Sequence, residues 1–306
     1  MNKSILLIGN NGLLGSELLN NFYQTGDSQI ISSQLLKGSD YKIDITNYHD
    51  LFSILNIINP SIIINTAAFT AVDDAELNSK KSFLVNSEGP KYLASWCKKN
   101  SSYLIHISTD YVFSGENPLY FGYKESDKID PQSVYGRSKM AGEINITQIM
   151  PENYLILRTS WLYGFYGKNF LKTIFSLNQK EFPRKIKIVD DQFGSPTSTY
   201  SLCEIILFAI RRLFDDLPLF GTFHSSSNGY CSWYQFAKKF FEELSIESNL
   251  YPCSTSEYPT RALRPKNSIL DNYRLKKMNI DSFLPWEDDL VRFISLHGKS
   301  ITNNWS

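Results

Sequence analysis

Near the start of the chain a short apolar run, Ser4 to Ile8, leads without a gap into Gly9-Asn10-Asn11-Gly12-Leu13-Leu14-Gly15, where a segment of helical periodicity begins. No other feature of the sequence constrains the fold as strongly. A strand that turns through spaced glycines into a helix brings main-chain N–H groups and the positive end of the helix dipole to one point, an arrangement suited to a pyrophosphate. Glycines are common in any tight turn. It is the position directly after the first strand that makes a dinucleotide the expected ligand, with Gly9, Asn11, Gly12, Leu13, Leu14 and Gly15 as the expected contacts.

The alternation of strand and helix continues. β-Branched runs stand at Gln29–Ser33, Ser61–Thr66, Tyr103–Ser108, Tyr154–Thr159 and Lys185–Val189, and helices are expected at Gly15–Phe22, Tyr48–Ile57, Ser79–Lys99, Tyr135–Gln148 and Tyr200–Leu213. Runs such as Ile62-Ile63-Ile64 are apolar at consecutive positions, as in parallel strands covered on both faces, so the fold class is α/β with a doubly wound parallel sheet of Rossmann type. Asp73 and Glu76 have the spacing of a capping box at a helix start. Past Thr159 the alternation weakens and prolines, among them Pro183, Pro196, Pro218 and Pro252, punctuate the chain. The expected division is a dinucleotide-binding domain over 1–165, to which 185–214 returns, and a smaller irregular α/β lobe for the substrate over 166–306.

Composition removes several function classes. Thirty-one basic residues balance thirty-one acidic ones, so no net field gathers nucleic acid or an anionic membrane, and any phosphate must be held locally. Cys97, Cys203, Cys231 and Cys253 form no C-x-x-C pair and His49, His106, His224 and His297 show no ligand spacing, so neither a metal site nor a disulfide framework is expected. The first apolar run is too short for a signal peptide, and no stretch reaches the ~18 apolar residues of a membrane span. A cytoplasmic protein is expected.

The strand expected to select the coenzyme ends at Ile31-Ser32-Ser33-Gln34, with no carboxylate for a ribose 2'-hydroxyl. That leans toward NADPH, with NADH as the alternative, although the nearest cation is Lys37 rather than an arginine. Asp44 either receives the adenine amine or is a solvated turn aspartate.

Tyr135 and Lys139 stand four residues apart, so on a helix both project from one face. An ammonium about 4 Å from a phenol contributes up to ~4 kcal/mol at intermediate dielectric, at most about three pKa units. A phenol made more acidic in this way can protonate a carbonyl oxygen while a nicotinamide delivers hydride to the carbon. Thr109 closes the fourth strand at the carboxyl edge where open α/β sheets bind ligands. There it can either donate a hydrogen bond to the same oxygen or satisfy strand-end backbone.

With these residues in place the chain resembles the dTDP-4-dehydrorhamnose reductase family, within the extended short-chain dehydrogenases, over nearly its full length. The matching segments include Asn65-Thr66-Ala67-Ala68-Phe69-Thr70-Ala71-Val72-Asp73, Ser108-Thr109-Asp110-Tyr111-Val112-Phe113, Tyr135-Gly136 through Lys139, Arg158-Thr159-Ser160-Trp161, Asn169-Phe170, Asp191 through Thr197, and Arg264-Pro265. The resemblance implies reduction of the C4 ketone of dTDP-4-dehydro-L-rhamnose. It implies a catalytic set of Thr109, Tyr135 and Lys139, and cofactor contacts from the glycine loop, Asp44, Ile45, Ala67, Ala68, Phe69, Thr70, Ile107, Tyr135 and Lys139. Thr109, Asp110, Trp161 and Asn169 would then meet the substrate and Arg264 its diphosphate; on the residues alone Trp161 reads rather as a core filler.

Some members are similar in holding a magnesium ion (Mg2+) with three glutamates at a dimer contact. Glu17 and Glu287 occupy matching places, but Tyr200 stands in the third. Hard cations want oxygen ligands, so no metal-bridged dimer is expected, and monomer and homodimer both stay open. Two rival functions share the fold: a reductase or epimerase of another nucleotide-sugar, and a non-catalytic NADP-binding subunit like that of methionine adenosyltransferase. The second needs none of Thr109, Tyr135 and Lys139.

Overall fold

A computed structural model describes residues 4–25, 30–33, 41–118, 121–280 and 283–305. In chain order the longer strands are β1 (Ile5–Ile8), β2 (Ile30–Ser33), β3 (Ile62–Asn65), β4 (Tyr103–Thr109), β5 (Tyr154–Thr159), β6 (Ile186–Val189), β7 (Gly221–His224) and β8 (Leu250–Cys253). The helices are α1 (Leu13–Thr25), α2 (Tyr48–Ile58), α3 (Val72–Leu77), α4 (Ser79–Phe83), α5 (Gly89–Asn100), α6 (Val134–Ile149), α7 (Phe170–Glu181), α8 (Thr199–Phe214), α9 (Trp233–Leu244), α10 (Tyr273–Lys277) and α11 (Trp286–Asn304). β1 to β5 and β7 form one sheet in the order β7-β5-β4-β3-β1-β2, with every neighbouring pair parallel.

Consecutive apolar positions in these strands serve two cores. Ile5, Leu7, Ile62, Ile64, Ile105 and Leu155 point to the face covered by α1 and α8, where Leu14, Leu18, Leu202 and Ile206 meet them. Leu6, Ile8, Ile63, Leu104 and Ile156 point the other way, against Leu51, Leu55, Leu93, Trp96 and Ile146 of α2, α5 and α6. Each such side chain contributes roughly 1.5–3 kcal/mol on burial, which fixes the sheet between two helical layers. The chain leaves β1 to form β2 on one side and β3 on the other. That reversal opens a crevice at the carboxyl ends of β1 and β3, where sheets of this kind bind ligands.

Three expectations are corrected. The run at 185–189 does not join the central sheet; β6 pairs with β8, Ile186 opposite Leu250. Ile186 and Ile188 are buried while Lys187 between them is exposed, and a strand with one wet face does not belong between helical layers. It packs instead into a second core with Phe175, Phe236 and Phe240, whereas α8, from the same stretch, does return to α1.

The stretch Ser79–Lys99 is not one helix. A π-helical turn, Leu84–Glu88, separates α4 from α5, because Pro90 has no N–H to offer the Asn86 carbonyl. Asp73 and Glu76 form no capping box: α3 has Ala71 at its N-cap without a side-chain bond. Asp73 instead accepts from Ala262 N and Arg264, and Glu76 accepts from Val134 N at 2.8 Å. Glu76 thus satisfies an orphan amide at the start of α6, beside the N-cap Ser133, and so helps to fix the helix that carries Tyr135.

Candidate active site

The floor of the crevice is made of main chain. Gly12 N donates to Gly9 O at 3.0 Å, and Thr66 Oγ1 bridges Ile8 O and Gly9 O at 2.8 and 3.2 Å, tying the loop to β3. A Cβ on Gly15 would lie 2.1 Å from Gly9 O, so only glycine lets α1 start this close to β1. Gly12 meets nothing nearer than 3.3 Å, and its face opens into a cleft of about 960 Å3. The first-turn amides of α1 have no intrahelical partner, which fits the pyrophosphate of a dinucleotide.

Gly9, Asn11, Gly12, Leu13 and Leu14 line that cleft, as do Asp44 and Ile45, the Ala67–Thr70 segment, and Ile107. Gly15 does not line it and acts through packing. Asp44 Oδ1 accepts from Thr46 N and Oγ1 at 2.9 and 2.7 Å, so it is a braced turn residue on the cleft wall. The Phe69 main chain is clamped by Asn86, whose Oδ1 accepts from Phe69 N and whose Nδ2 donates to Phe69 O. The π-helical turn places that amide. Gln34 and Lys37, where selection of the coenzyme is expected, lie outside the described residues.

Thr109, Asp110, Tyr135 and Lys139 meet in the same cleft. α6 begins one residue before Tyr135, which puts the phenol and the amine one turn apart facing β4. Lys139 Nζ donates to Ile107 O at 2.6 Å and stands 3.4 Å from His106 Nε2. Burial holds its pKa down to about 8, against the pull of Glu143. Glu143 is itself engaged by Arg158 at 2.7 Å and by Ser108 at 2.5 Å.

The tyrosine departs from expectation. Burial pushes the Tyr135 phenol up to about 12, a hydrogen bond with Thr109 works the other way, and the lysine charge is not among the causes. The desolvation that lowers Lys139 also raises Tyr135. Thr109 Oγ1 donates to Asp110 Oδ1 at 3.0 Å and accepts from Tyr111 N at 3.2 Å, so its single proton is aimed at Asp110. Burial raises Asp110 to about 6, against hydrogen bonds from Ser268, Thr109 and Ser160.

At the far end Trp161 lines the cleft with φ of 46°, its indole stacked on Trp233 with centroids 3.5 Å apart. Gly194 leaves room for that indole, since a Cβ there would meet it at 2.3 Å. Asn169 and Arg264 do not line the cleft. Asn169 is the N-cap of α7, accepting from Lys172 N and donating to Gly164 O. Arg264 forms an ion pair with Asp73 at 2.7 Å. Sequence reasoning missed Trp233, Lys81 and Lys168, which also line the cleft.

Among the described residues no cluster of three or more His, Cys, Asp or Glu could hold a metal ion. Glu17 is buried, accepts from Thr199 Oγ1 at 3.1 Å and is raised by desolvation. Tyr200 carries the Arg292 guanidinium 4.0 Å above its ring, and Glu287 is exposed. No helix among the described residues is long and apolar enough to cross a membrane.

Residues 2–297 match the family described as RmlD substrate binding domain. The chain is 35% identical to a dTDP-4-dehydrorhamnose reductase of Aggregatibacter actinomycetemcomitans over 89% of its own length and 92% of that protein's. It is similar to the crystal structure of a dTDP-4-dehydrorhamnose reductase from Clostridium acetobutylicum, with a TM-score of 0.87, 37% identity, and coverage of 96% of this chain and 99% of that one. A Bacillus anthracis dTDP-4-dehydrorhamnose reductase in complex with NADP gives 0.87 at 36% identity, covering 97% and 100%.

Proposed function

The chain belongs to the RmlD substrate binding domain family, and from that premise we propose that it is an NADPH-dependent dTDP-4-dehydrorhamnose reductase, converting dTDP-4-dehydro-L-rhamnose to dTDP-L-rhamnose. One observation carries this reading: a phenol, a hydroxyl and an amine converge in the same cleft as the glycine loop. A binding subunit needs the loop but not the triad. An epimerase or a reductase of another nucleotide-sugar differs in the sugar end, and the similarity to dTDP-4-dehydrorhamnose reductases supports the rhamnose precursor.

NADPH, when bound over Gly12, Leu13 and Leu14, supplies the hydride. Tyr135 gives its proton to the ketone oxygen as the carbon receives hydride, so C=O becomes CH–OH. A phenol held near 12 is protonated throughout the neutral range, the form in which an acid must wait. Lys139 in its charged form stabilises the phenolate left behind and binds a ribose hydroxyl. Thr109 turns its proton from Asp110 to the ketone oxygen. Trp161, backed by Trp233, offers an aromatic face to the C–H surface of the sugar, and Lys81 and Lys168 answer the phosphates.

In this proposal residues 1–165 with α8 bind the coenzyme, and residues 166–306 close over the sugar. Asn169 and Arg264 support that lobe rather than touch the substrate. The protein works in the cytoplasm on a small-molecule nucleotide-sugar, without nucleic acid or metal. The proposal is the same for a monomer and a homodimer.

The test offers the purified protein NADPH or NADH with dTDP-4-dehydro-L-rhamnose and with UDP-linked 4-keto sugars, following coenzyme absorbance. Fast oxidation of NADPH with the dTDP sugar alone is expected. Turnover restricted to another nucleotide, or none with any keto-sugar, contradicts the reading.

A further inference from the structure

Behind Lys139 lies a polar chain that the proposed reaction does not use. Asn65 and His106 are direct neighbours across β3 and β4, both about 1% exposed, and each follows an apolar run, Ile62-Ile63-Ile64 in β3 and Leu104-Ile105 in β4. Ala67 N donates to Asn65 Oδ1 at 3.2 Å. That contact fixes the amide's orientation, because a backbone N–H can meet only the oxygen. The remaining end, Nδ2, then faces His106 Nδ1 at 3.1 Å. Nδ2 is a donor, so Nδ1 must be the unprotonated nitrogen, and a neutral imidazole then carries its proton on Nε2. Nε2 is the atom that faces Lys139 Nζ at 3.4 Å.

His224 shows the opposite case in the same protein. Its Nδ1 faces Asp271 O at 3.1 Å and its Nε2 faces Arg158 Nη1 at 3.5 Å. A carbonyl needs Nδ1–H and a guanidinium needs a bare Nε2, so both demands agree on one tautomer. At His106 they conflict if Lys139 is an ammonium: two donors then point at each other. The conflict disappears when the lysine gives up a proton and accepts from Nε2–H.

We infer that Asn65 and His106 are positioning residues for Lys139, a relay that locks His106 as its Nε2–H tautomer and aims that N–H at the lysine nitrogen, favouring the neutral amine. This inference rests on the proposed reductase function for its consequence in turnover, though not for its structural content. Directions of titration agree with it: burial first and the lysine charge second keep His106 uncharged well below the ordinary histidine range.

The other groups around Lys139 are already engaged or uncharged. From its own helix, Glu143 is paired with Arg158 of β5 and Tyr135 is a neutral phenol. From α3, Glu76 is bonded to Val134 N and Asp73 to Arg264. Asp110 accepts from Thr109 and Ser160, and Lys81 of α4 adds a second positive charge to the cleft wall.

Two measurements test the inference. Nitrogen-15 NMR of the imidazoles in the unmodified protein, each ring assigned through its own backbone, needs no substrate and so stands apart from the functional reading. His106 is expected with Nδ1 bare and Nε2 protonated across neutral pH, and His224 with the reverse. A protonated Nδ1 or an imidazolium at His106 overturns the relay.

Asn65→Asp then inverts it, because a carboxylate oxygen facing Nδ1 demands Nδ1–H and leaves Nε2 bare toward the lysine. The alkaline limb of kcat/KM is expected to move up by about one pH unit, a tenfold change in proton concentration, with NADPH binding little changed and the thermal unfolding temperature lowered by the buried carboxylate. A folded variant whose alkaline limb stays in place overturns the inference; if the variant does not fold, the NMR result decides by itself. Absence of turnover with every keto-sugar would refute the reductase reading and leave the tautomer result standing.

Discussion

The two halves of the cleft are built on different principles. In the proposed reading the coenzyme half is main chain: Gly9 to Leu14, the Ala67–Phe69 backbone held by Asn86, and the sheet ends beneath them. The sugar half is side chain: Trp161 on Trp233, with Phe170 tilted against the second indole and Gly194 left bare to admit the first. Backbone recognition depends on where a strand ends and a helix begins, so it survives almost any sequence that keeps those elements and their glycines. Side-chain recognition depends on residues from separate segments meeting in space, so it can change without disturbing the sheet. Tyr135 and Lys139, the pair proposed to be catalytic, sit between, on a helix whose start is capped by Glu76 and Ser133.

Variants can break the halves separately. The largest effect is expected at the junction, from Lys139→Met. Turnover should fall by about 10²–10⁴-fold, the range of a lost proton-transfer group. Stability should rise, because the folded pKa of about 8 lies below the 10.5 of the exposed amine. The native state is not penalised above pH 10.5, and the penalty grows as pH falls to about 8, reaching about 3 kcal/mol below it. Urea unfolding at pH 7 and pH 10 checks both the gain and its shrinkage at the higher pH.

Gly15→Ala should break the coenzyme half alone. Its Cβ must displace the Gly9 carbonyl, so a loss of about 2–3 kcal/mol in stability and a marked loss of NADPH affinity are expected by thermal unfolding and titration. Trp233→Ala should act on the sugar half alone, raising KM for the nucleotide-sugar about tenfold, the scale of one aromatic pair, while the Kd for NADPH stays put. A parallel loss of both would show that the halves are not independent.

The smallest effect is expected from Asp73→Asn, at the ion pair with Arg264. Arg264 holds Asp73 down to about 2, below its ordinary 3.8, so the stabilisation is present above pH 3.8 and disappears as pH falls through 2. The pair is partly exposed, and after screening about 0.5–1 kcal/mol remains at neutral pH.

The same contrast explains what could be read in the sequence. The sheet, α1, α6 and the glycine loop follow from local patterns: β-branched runs, spaced glycines, and a phenol and amine one helical turn apart. Thr109 stood out by its place at the end of a strand, and the family resemblance pointed to Trp161 through a contiguous segment. Trp233 was invisible because its only signal is contact with a residue far away in the chain, and Lys81 and Lys168 look like any surface lysine until the cleft is formed. The Asp73–Glu76 spacing misled for the converse reason: a local pattern suggested a helix cap, whereas tertiary partners claimed both carboxylates. The expected acidic shift of Tyr135 failed because charge alone was weighed and burial was not, and burial acts on the phenol and the ammonium in opposite directions.

The central claim is that Tyr135 is the proton donor to the ketone in a site that binds coenzyme without it. Tyr135→Phe measured in a single turnover with pre-bound NADPH tests that most directly, alongside equilibrium titration of NADPH. Coenzyme oxidation slowed by at least about a hundredfold, with the Kd for NADPH within a few fold of the original, is the predicted result. Oxidation at the unmodified rate in the phenylalanine variant would contradict it.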